Sequence, residues 1–304
     1  MSPTSTSTTR TTRTPGLASR TSGHPTASVA LEVRDLTVSF PTTSGTVDVV
    51  SHLDLDLEPG GALGIVGESG SGKSLTSLAV MGLLPRTATR TGTVRLGGED
   101  LTAMSEAQLR RVRGDRVAMI FQDPLSSLNP YYTVGAQIEE AYRSHRRGVT
   151  RRQARAVAVE AMDRVHIKDA GRRVDHYPHQ FSGGMRQRVM IAMALATEPE
   201  LLIADEPTTA LDVTVQAQIL SLLEEIRRDT GTSLVLITHD LAVVSEVTDH
   251  IVVMRAGVCV ERGPVEAIFS DPQHPYTQGL LEAVPRIDDE IGDLRSLTPT
   301  GGHR

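Results

Sequence analysis

The eight residues that decide the fold of this chain are Gly67-Glu68-Ser69-Gly70-Ser71-Gly72-Lys73-Ser74. They fit the pattern G-x-x-x-x-G-K-[ST], a P-loop whose backbone wraps around phosphate groups. The short apolar run Ala62–Val66 precedes the loop, and a helical pattern over Leu75–Leu84 follows it. Because a loop between a buried strand and a helix is where this motif binds phosphate, the stretch predicts a nucleotide site.

The residues of this loop have separate predicted roles. Its backbone N–H groups can converge on phosphates where glycine and serine allow a close approach. The positions predicted to form this cradle are Gly67, Ser69, Gly70 and Gly72. Lys73 is predicted to pair with the β- and γ-phosphates, and the Ser74 hydroxyl is predicted to bind Mg²⁺. The helix that begins here adds a partial positive charge at its N-terminus.

A pair of carboxylates follows a second apolar run, Leu201–Ala204. Asp205 comes at the end of this predicted strand, where ligands gather on a parallel sheet, and it can hold Mg²⁺ through water. Glu206 is expected to point the other way along the pleat and to polarise a water for attack on the γ-phosphate. We expect Lys73 on a neighbouring strand.

A second anion-binding segment is predicted at Ser182-Gly183-Gly184. Ser182 is a good N-cap for a helix that is expected to start near Met185, and the two glycines expose backbone N–H groups. The chain thus has two predicted anion sites, of which only one is a P-loop. This is explained if each site completes the other in a dimer.

The other apolar runs predict the fold class. Runs of buried-strand length, each flanked by helical stretches, indicate a parallel α/β sheet. These runs are residues 201–204, 234–237 and 251–254. Residues 31–40 alternate as a strand with one slip in register, and residues 54–57 alternate again. Residues 255–257 are typical of a hairpin turn. The apolar residues within 151–165 recur at helical spacing and predict a helix with one apolar face.

Composition excludes several classes of function. The 304 residues are 39% hydrophobic and 22% charged, with a net charge of −6, so no basic excess indicates binding to nucleic acid. The single cysteine, Cys259, cannot form an internal disulfide or hold an iron–sulfur cluster, which favours a reducing compartment. No apolar run reaches the roughly 18 residues of a spanning helix, so a membrane role is expected to act through partner chains.

The first 28 residues are rich in Thr, Ser, Pro and Arg and contain no acidic residue. Such a segment buries too little apolar surface to offset its ordering entropy, and we expect it to be disordered. It superficially resembles an organelle transit peptide. A flexible extension or a misplaced start codon is the simpler interpretation.

The motifs together resemble those of the ATP-binding subunit of ABC transporters, over roughly Leu31 to Pro285. The segment Ser182–Gln187 matches the signature loop of that family. The resemblance implies an α/β fold: an ABC-type nucleotide-binding domain with a RecA-like P-loop core sheet, an antiparallel β lobe and a helical subdomain. The implied boundaries are 29–270 for the ATPase domain, about 124–185 for its helical subdomain and 271–304 for a C-terminal extension.

The same resemblance implies roles for further residues. Phe40 lies where an aromatic ring stacks on adenine, although a plain core role is the alternative. Gln122 matches the loop that senses Mg²⁺ and water and contacts the membrane subunits. Asp212, in Ala210-Leu211-Asp212, matches the D-loop at the dimer interface, and His239 matches the switch histidine near the γ-phosphate.

Three segments resemble those of oligopeptide and dipeptide importers, a group that includes nickel importers. They are the P-loop itself, the stretch 121–130, and His274-Pro275-Tyr276-Thr277 with the following Leu280-Leu281 and Val284-Pro285. Many such subunits carry a C-terminal cysteine cluster, which this chain lacks, so an iron–sulfur cluster is not implied.

The function implied is hydrolysis of ATP, with Mg²⁺, coupled to peptide uptake across the cytoplasmic membrane. The implied partners are a second ATP-binding subunit, two integral membrane permease subunits and, indirectly, an extracytoplasmic solute-binding protein. The chain would be peripheral, on the cytoplasmic face. Alternatives are import of nickel or another small solute, an exporter, or a non-transport ABC ATPase, which the absence of sustained heptads disfavours.

Overall fold

The computed structural model describes residues 29–123, 127–209 and 211–283. The predicted tail, 1–28, therefore lies outside the described residues. So do residues 124–126 of the Gln122 segment, Ala210 of the D-loop, and residues 284–304, which include Val284-Pro285.

The described residues form ten strands in two sheets. The strands are β1 (Leu31–Thr42), β2 (Gly45–Leu57), β3 (Ala62–Val66), β4 (Thr89–Leu96), β5 (Glu99–Asp100), β6 (Val117–Ile120), β7 (Leu201–Asp205), β8 (Ser233–Thr238), β9 (His250–Arg255) and β10 (Val258–Pro264). The apolar runs 62–66, 201–204, 234–237 and 251–254 lie in strands β3, β7, β8 and β9.

Ten α-helices lie in the same described ranges. They are α1 (Lys73–Met81), α2 (Glu106–Val112), α3 (Val134–His145), α4 (Arg151–Arg164), α5 (Ala170–Arg173), α6 (Gly183–Leu195), α7 (Val213–Thr230), α8 (Leu241–Val247), α9 (Val265–Ser270) and α10 (Pro275–Glu282). Two short 3₁₀ turns cover Leu101–Ala103 and Pro178–Gln180. Among these helices, none combines the length and the apolar character that a membrane crossing requires.

The larger sheet has six strands in the order β10-β9-β3-β8-β7-β6. All its pairs are parallel except β10 with β9, which form an antiparallel hairpin. The hairpin turns through Ala256 and Gly257, both with positive φ, as the sequence predicts. Strand β8 lies between β3 and β7, so the expectation that Lys73 and Asp205 come from neighbouring strands is wrong.

The smaller sheet is antiparallel, with the order β2-β1-β4-β5. The slip predicted in β1 is present: pairing with β4 shifts between Arg34 and Thr37, and pairing with β2 shifts at three places. One apolar cluster joins this sheet to the P-loop strand, because Leu36 and Val38 share it with Ile65. The smaller sheet is thereby fixed against the P-loop side of the larger one.

Helices α3 to α6 pack as a group on the other side of the larger sheet. The predicted apolar face of α4 is buried, with Ala154, Ala158 and Met162 each at 0% exposure. Ala158 and Met162 share one cluster with Val189 and Ile191 of α6 and with strand residues of the larger sheet. The architecture is therefore α/β with an antiparallel sheet and a helical region, the fold class expected from the sequence.

Candidate active site

The P-loop turns directly from β3 into α1. Gly72 is the N-cap of the helix and has φ 101°, a left-handed conformation that favours glycine. A Cβ at this position would lie 2.7 Å from the carbonyl oxygen of Val49, so the smaller sheet also excludes a side chain here. The loop is held against β2, and its N–H groups are presented at a helix N-terminus, as phosphate binding requires.

Lys73 is 4% exposed and lies inside the loop that it follows. Its Nζ donates to the carbonyl oxygens of Gly67 at 2.7 Å and Glu68 at 2.9 Å. Burial lowers the pKa of Lys73, against the opposing carboxylates of Glu206 and Asp205. A buried ammonium held by carbonyls needs anions nearby, and these two carboxylates together with a phosphate ligand fit that need.

Ser74 and Asp205 form the predicted metal-binding pair. The Ser74 hydroxyl donates to Asp205 Oδ1 at 3.0 Å, although the two residues are 131 positions apart. Burial raises the pKa of Asp205, and the hydrogen bond from Ser74 opposes this. No cluster of three or more His, Cys, Asp or Glu side chains capable of holding a metal occurs in the described ranges. A hydroxyl and one carboxylate fit Mg²⁺, which keeps several waters and takes its other ligands from phosphates.

Glu206 leaves the strand that ends at Asp205. Its φ of 48° breaks the pleat, and its N–H donates to the carbonyl of Ile237 at 2.8 Å. The predicted alternation along the pleat therefore stops at Asp205. Glu206 Oε2 accepts hydrogen bonds from Gln122 Nε2 at 2.8 Å and from Thr209 Oγ1 at 2.9 Å. The sequence gives no sign of Thr209, because only the turn after Glu206 brings it back to the carboxylate.

His239 follows β8 and meets the same carboxylate. Its Nδ1 lies 3.4 Å from Glu206 Oε1, and most of the histidine side chain is exposed. Parallel strands β6, β7 and β8 end at one edge of the sheet, so Gln122, Glu206 and His239 converge there. The three side chains predicted to be catalytic thus meet, with Gln122 and His239 both beside the carboxylate of Glu206.

These groups line a common cavity of about 610 Å³ beside the P-loop. Its lining residues are Val49, Glu68, Ser69, Gly70, Gly72, Lys73, Ser74, Leu75, Gln122, Glu206, His239 and Leu280. The phosphate cradle, a hydroxyl ligand and the predicted base therefore face one space. The arrangement can position a polyphosphate between Lys73 and Glu206.

The predicted second anion site lies elsewhere on the surface. Helix α6 begins at Gly183 rather than near Met185, and the Ser182 hydroxyl accepts from the N–H of Met185 at 3.4 Å. Asp212 is the N-cap of α7, with Oδ1 accepting from Val215 N at 2.9 Å. Ser182, Gly183 and Asp212 are exposed and, like Gly184, are absent from the lining of the cavity.

Gly184 has a packing role within this surface. A Cβ on it would lie 2.5 Å from Val215 Cγ1, whereas a Cβ on Gly183 would come no closer than 3.7 Å to Leu211 Cδ2. The start of α6 therefore lies directly on the first turn of α7. The signature segment and the D-loop aspartate are held next to each other.

Phe40 lies in β1 and packs, partly buried, against the apolar cluster beneath the smaller sheet. It is not among the residues that line the cavity. Its predicted stacking on adenine stays a prediction.

Sequence reasoning missed one contact with the P-loop. The hydroxyl of Tyr276, in His274-Pro275-Tyr276-Thr277, accepts a hydrogen bond from Glu68 N at 3.0 Å. Leu280 from the same helix lines the cavity. No local pattern could have indicated this, because the two partners are 208 positions apart.

Comparison with known families gives two matches. The family described as ABC transporter matches residues 50–209, which is more than half of the chain. The region described as "Oligopeptide/dipeptide transporter, C-terminal region" matches residues 260–302.

Several curated relatives are similar over most of their length. A putative peptide import ATP-binding protein of Brucella abortus is 52% identical over 268 residues, covering 88% of this chain and 80% of the relative. The oligopeptide transport ATP-binding protein OppD of Salmonella typhimurium is 49% identical over 271 residues, covering 89% and 81%. The dipeptide transport ATP-binding protein DppD of Bacillus subtilis is 52% identical over 272 residues, covering 89% and 81%.

Among solved structures, a dimeric ATP-binding cassette in a post-hydrolysis state with ADP and Pi superposes with a TM-score of 0.69. The identity is 26%, over 77% of this chain and 98% of that one. The chain therefore belongs to the ABC transporter family, and it is an ATPase of that family. It carries in addition the C-terminal region of the oligopeptide and dipeptide transporters.

Proposed function

We propose that this chain is the subunit that powers peptide uptake by an ABC importer through ATP binding and hydrolysis. The observation that carries the proposal is the convergence of the P-loop and Glu206 on one cavity, with Asp205 bonded to the cavity-lining Ser74 and the importer-type C-terminal segment alongside. The names of the similar proteins, which refer to peptide import and to oligopeptide and dipeptide transport, support the substrate class.

In this proposal ATP lies with its phosphates against the P-loop, and Lys73 pairs with the β- and γ-phosphates. Ser74 and Asp205 would hold Mg²⁺, with Gln122 nearby, and the metal would supply charge stabilisation to the phosphates. Glu206 accepts a proton from the attacking water, and Gln122 orients that water. His239 places a donor beside the γ-phosphate. The hydrogen bonds from Gln122 and Thr209 fix the carboxylate in place.

We infer that the cavity is completed by a second ATP-binding subunit, identical or homologous. Ser182, Gly183 and Gly184 of one chain, with Asp212 beside them, would face the nucleotide held by the other chain's P-loop. Their exposure and their absence from the chain's own cavity support this arrangement. Nucleotide then links two charged surfaces, and loss of phosphate after hydrolysis separates them.

The permease contact is proposed at a second, apolar cavity of about 630 Å³. It lies between β6, α3 and α6, and Phe121, the residue before Gln122, is 43% exposed at its edge. Tyr131 and Tyr132, further along the same segment, are also exposed. Because Phe121 lines this cavity and directly precedes Gln122, a permease movement at the cavity can be transmitted through Gln122 to the carboxylate of Glu206.

In the cell, the chain would bind two integral membrane permeases and act at the cytoplasmic face of the membrane as a peripheral subunit. An extracytoplasmic solute-binding protein would act indirectly, and nucleic acid is not a partner. The choice among dipeptide, oligopeptide and nickel is made outside this chain.

The proposal is tested by co-expressing the chain with candidate permease subunits from the same genome and reconstituting the complex in vesicles. We expect ATP-dependent accumulation of labelled di- or oligopeptides when the binding protein is added, and none with a Glu206→Gln chain. Accumulation of Ni²⁺ instead of peptides would reassign the substrate. ATP-dependent efflux of the peptide would indicate an exporter. ATPase activity of a chain that binds no permease would indicate a non-transport role.

A further inference from the structure

One hydrogen bond joins the C-terminal helix to the nucleotide loop. Tyr276, in the first turn of α10, accepts from the N–H of Glu68 at 3.0 Å. Glu68 directly follows Gly67 at the start of the P-loop. The phenol therefore binds the backbone of the phosphate cradle itself.

The helix that carries Tyr276 is itself fixed on the larger sheet. His274 is its N-cap, with Nδ1 accepting from Tyr276 N at 3.1 Å. Glu261 of β10 accepts from the N–H groups of Gln273 at 2.7 Å and His274 at 3.1 Å. These bonds anchor the N-terminal end of α10 to β10.

Apolar packing and a cation–π contact orient the phenol ring. Tyr276, Leu280 and Leu281 pack against a buried cluster that includes Val66, the last residue of the strand leading into the P-loop. The guanidinium carbon of Arg255 lies 4.9 Å from the centroid of the Tyr276 ring. With the ring held on two sides, its hydroxyl has a defined position.

The bonded peptide also carries the lysine contact. The peptide unit between Gly67 and Glu68 donates its N–H to Tyr276, and its carbonyl, that of Gly67, accepts from Lys73 Nζ at 2.7 Å. Hydrogen bonds on both sides of one peptide polarise it and strengthen each other. Tyr276 therefore acts on Lys73 through one amide group, without touching a phosphate.

We propose that Tyr276 is a positioning residue for the P-loop, which couples the docking of the His274–Thr277 segment and α10 to nucleotide binding. The inference rests on the proposed binding of nucleotide phosphates by Lys73 and its loop. Coupling of this kind is reciprocal: α10 strengthens nucleotide binding, and nucleotide stabilises the docked α10 to the same extent.

The first test is Tyr276→Phe in the full-length chain, which keeps the ring and its contacts but removes the acceptor. Binding of Mg·ADP, measured by calorimetry, is expected to weaken by up to about tenfold, because the loss of one hydrogen bond sets the upper limit of the effect. The control is Tyr142→Phe, because the Tyr142 ring also lies by an arginine, Arg146, at 5.8 Å, but on helix α3 away from the P-loop. We expect the control to bind Mg·ADP like the parent.

The second test measures hydrogen exchange of the α10 amides with and without Mg·ADP. In the parent chain, binding of Mg·ADP is expected to slow this exchange. In Tyr276→Phe at equal occupancy, the protection is expected to decrease by a factor similar to the loss of Mg·ADP affinity. A purely structural tyrosine would lower the unliganded melting temperature and leave nucleotide affinity and its effect on α10 unchanged. That result would overturn the inference.

Lys73→Ala separates this inference from the proposed site. We expect Lys73→Ala to lose Mg·ADP binding. If Lys73→Ala loses Mg·ADP binding and Tyr276→Phe binds Mg·ADP like the parent, the nucleotide site is supported and the coupling through Tyr276 is absent. If Lys73→Ala binds Mg·ADP like the parent, the proposed site itself is wrong.

Discussion

Gln122 and Glu206 are joined by a 2.8 Å hydrogen bond from the side-chain amide to the carboxylate, across 84 positions of sequence. Gln122 follows strand β6 and Glu206 follows β7, its parallel neighbour in the sheet. The bond links the edge of the helical region, where Gln122 begins the connection to α3, to the proposed catalytic base. It gives a physical route by which movement of one region changes the position of the other.

The first prediction concerns the base itself. Glu206→Gln keeps the shape of the side chain but removes its capacity to accept a proton, so kcat for ATP is expected to fall about 100-fold or more. ATP binding is expected to persist, because Lys73 and the P-loop are unchanged. Size-exclusion chromatography with ATP should then show a stable dimer.

Two outcomes of that experiment are decisive. Hydrolysis at the parental rate would show that Glu206 is not the base. Dimerisation only in the presence of a co-expressed homologous subunit would assign a heterodimer, and dimerisation of the chain alone a homodimer.

The second prediction concerns the hydrogen-bond partner of the proposed base. Gln122→Glu replaces the donor to Glu206 with a second carboxylate, so the hydrogen bond is lost and two like charges face each other. We expect kcat for ATP to fall further than in Gln122→Ala, the control, which removes the donor without adding charge. ATPase rates of the two variants and the parent at one pH check this. A parental rate in Gln122→Glu would separate Gln122 from the base.

The third prediction concerns Asp205 and stability. Burial raises its pKa, so folding disfavours the carboxylate, and stability is lost as pH rises from the ordinary carboxyl pKa through the raised pKa of the folded chain. At neutral pH without Mg²⁺, Asp205→Asn is therefore expected to melt at a higher temperature than the parent, and the difference should shrink as pH falls. The amide oxygen can still accept from Ser74.

The same variant should lose function. Removing the charged oxygen is expected to weaken the apparent affinity for Mg²⁺ in the ATPase assay by about 10- to 100-fold. Scanning calorimetry and a Mg²⁺ titration check the two effects separately. A lower melting temperature with parental Mg²⁺ dependence would contradict both the pKa argument and the proposed ligand role.

The fourth prediction compares two adjacent glycines. Gly184→Ala places a Cβ 2.5 Å from Val215 Cγ1 and should destabilise the chain by about 1–3 kcal/mol, the usual cost of overpacking. Gly183→Ala is the matched control, since its nearest neighbour would lie at 3.7 Å, and alanine is favourable within a helix. Urea unfolding of both variants checks this. Equal urea midpoints for the two variants would show that α7 shifts to accommodate the new Cβ without a loss of stability.

The fifth prediction decides the role of Phe40. Phe40→Leu keeps an apolar side chain against the core cluster but removes the aromatic face. If the ring stacks on adenine, affinity for ATP should fall about fivefold or more, since base stacking contributes about 1–3 kcal/mol. Fluorescent-nucleotide binding measures this, with melting temperature as the check on packing. Unchanged affinity would assign Phe40 to the core alone.

Local chemistry made the loop, the strands and several caps predictable. Strand Ala62–Val66 has the bounds expected from its apolar run, because a fully buried strand needs every residue apolar. Ser182 was recognised as an N-cap because its hydroxyl satisfies a free helical N–H. The fold class followed from the order of such elements along the chain.

Other features needed the folded chain. The left-handed turn at Glu206 is set by its bond to Ile237 on the adjacent strand, which no local pattern records. The order of strands places β8 between β3 and β7, although the P-loop helix still brings Ser74 to Asp205. Distances across the sheet depend on topology, and the sequence near each residue does not contain it.

The sequence by itself determined which chemical groups this protein has: a phosphate loop, a carboxylate pair at a strand end, a capped signature segment and an importer-type C-terminal element. These depend on interactions within about ten residues of chain, where spacing fixes geometry. Only the tertiary structure decided which groups meet, because contacts such as Gln122 with Glu206 and Glu68 with Tyr276 join positions 84 and 208 residues apart. Strand order and helix packing set those distances.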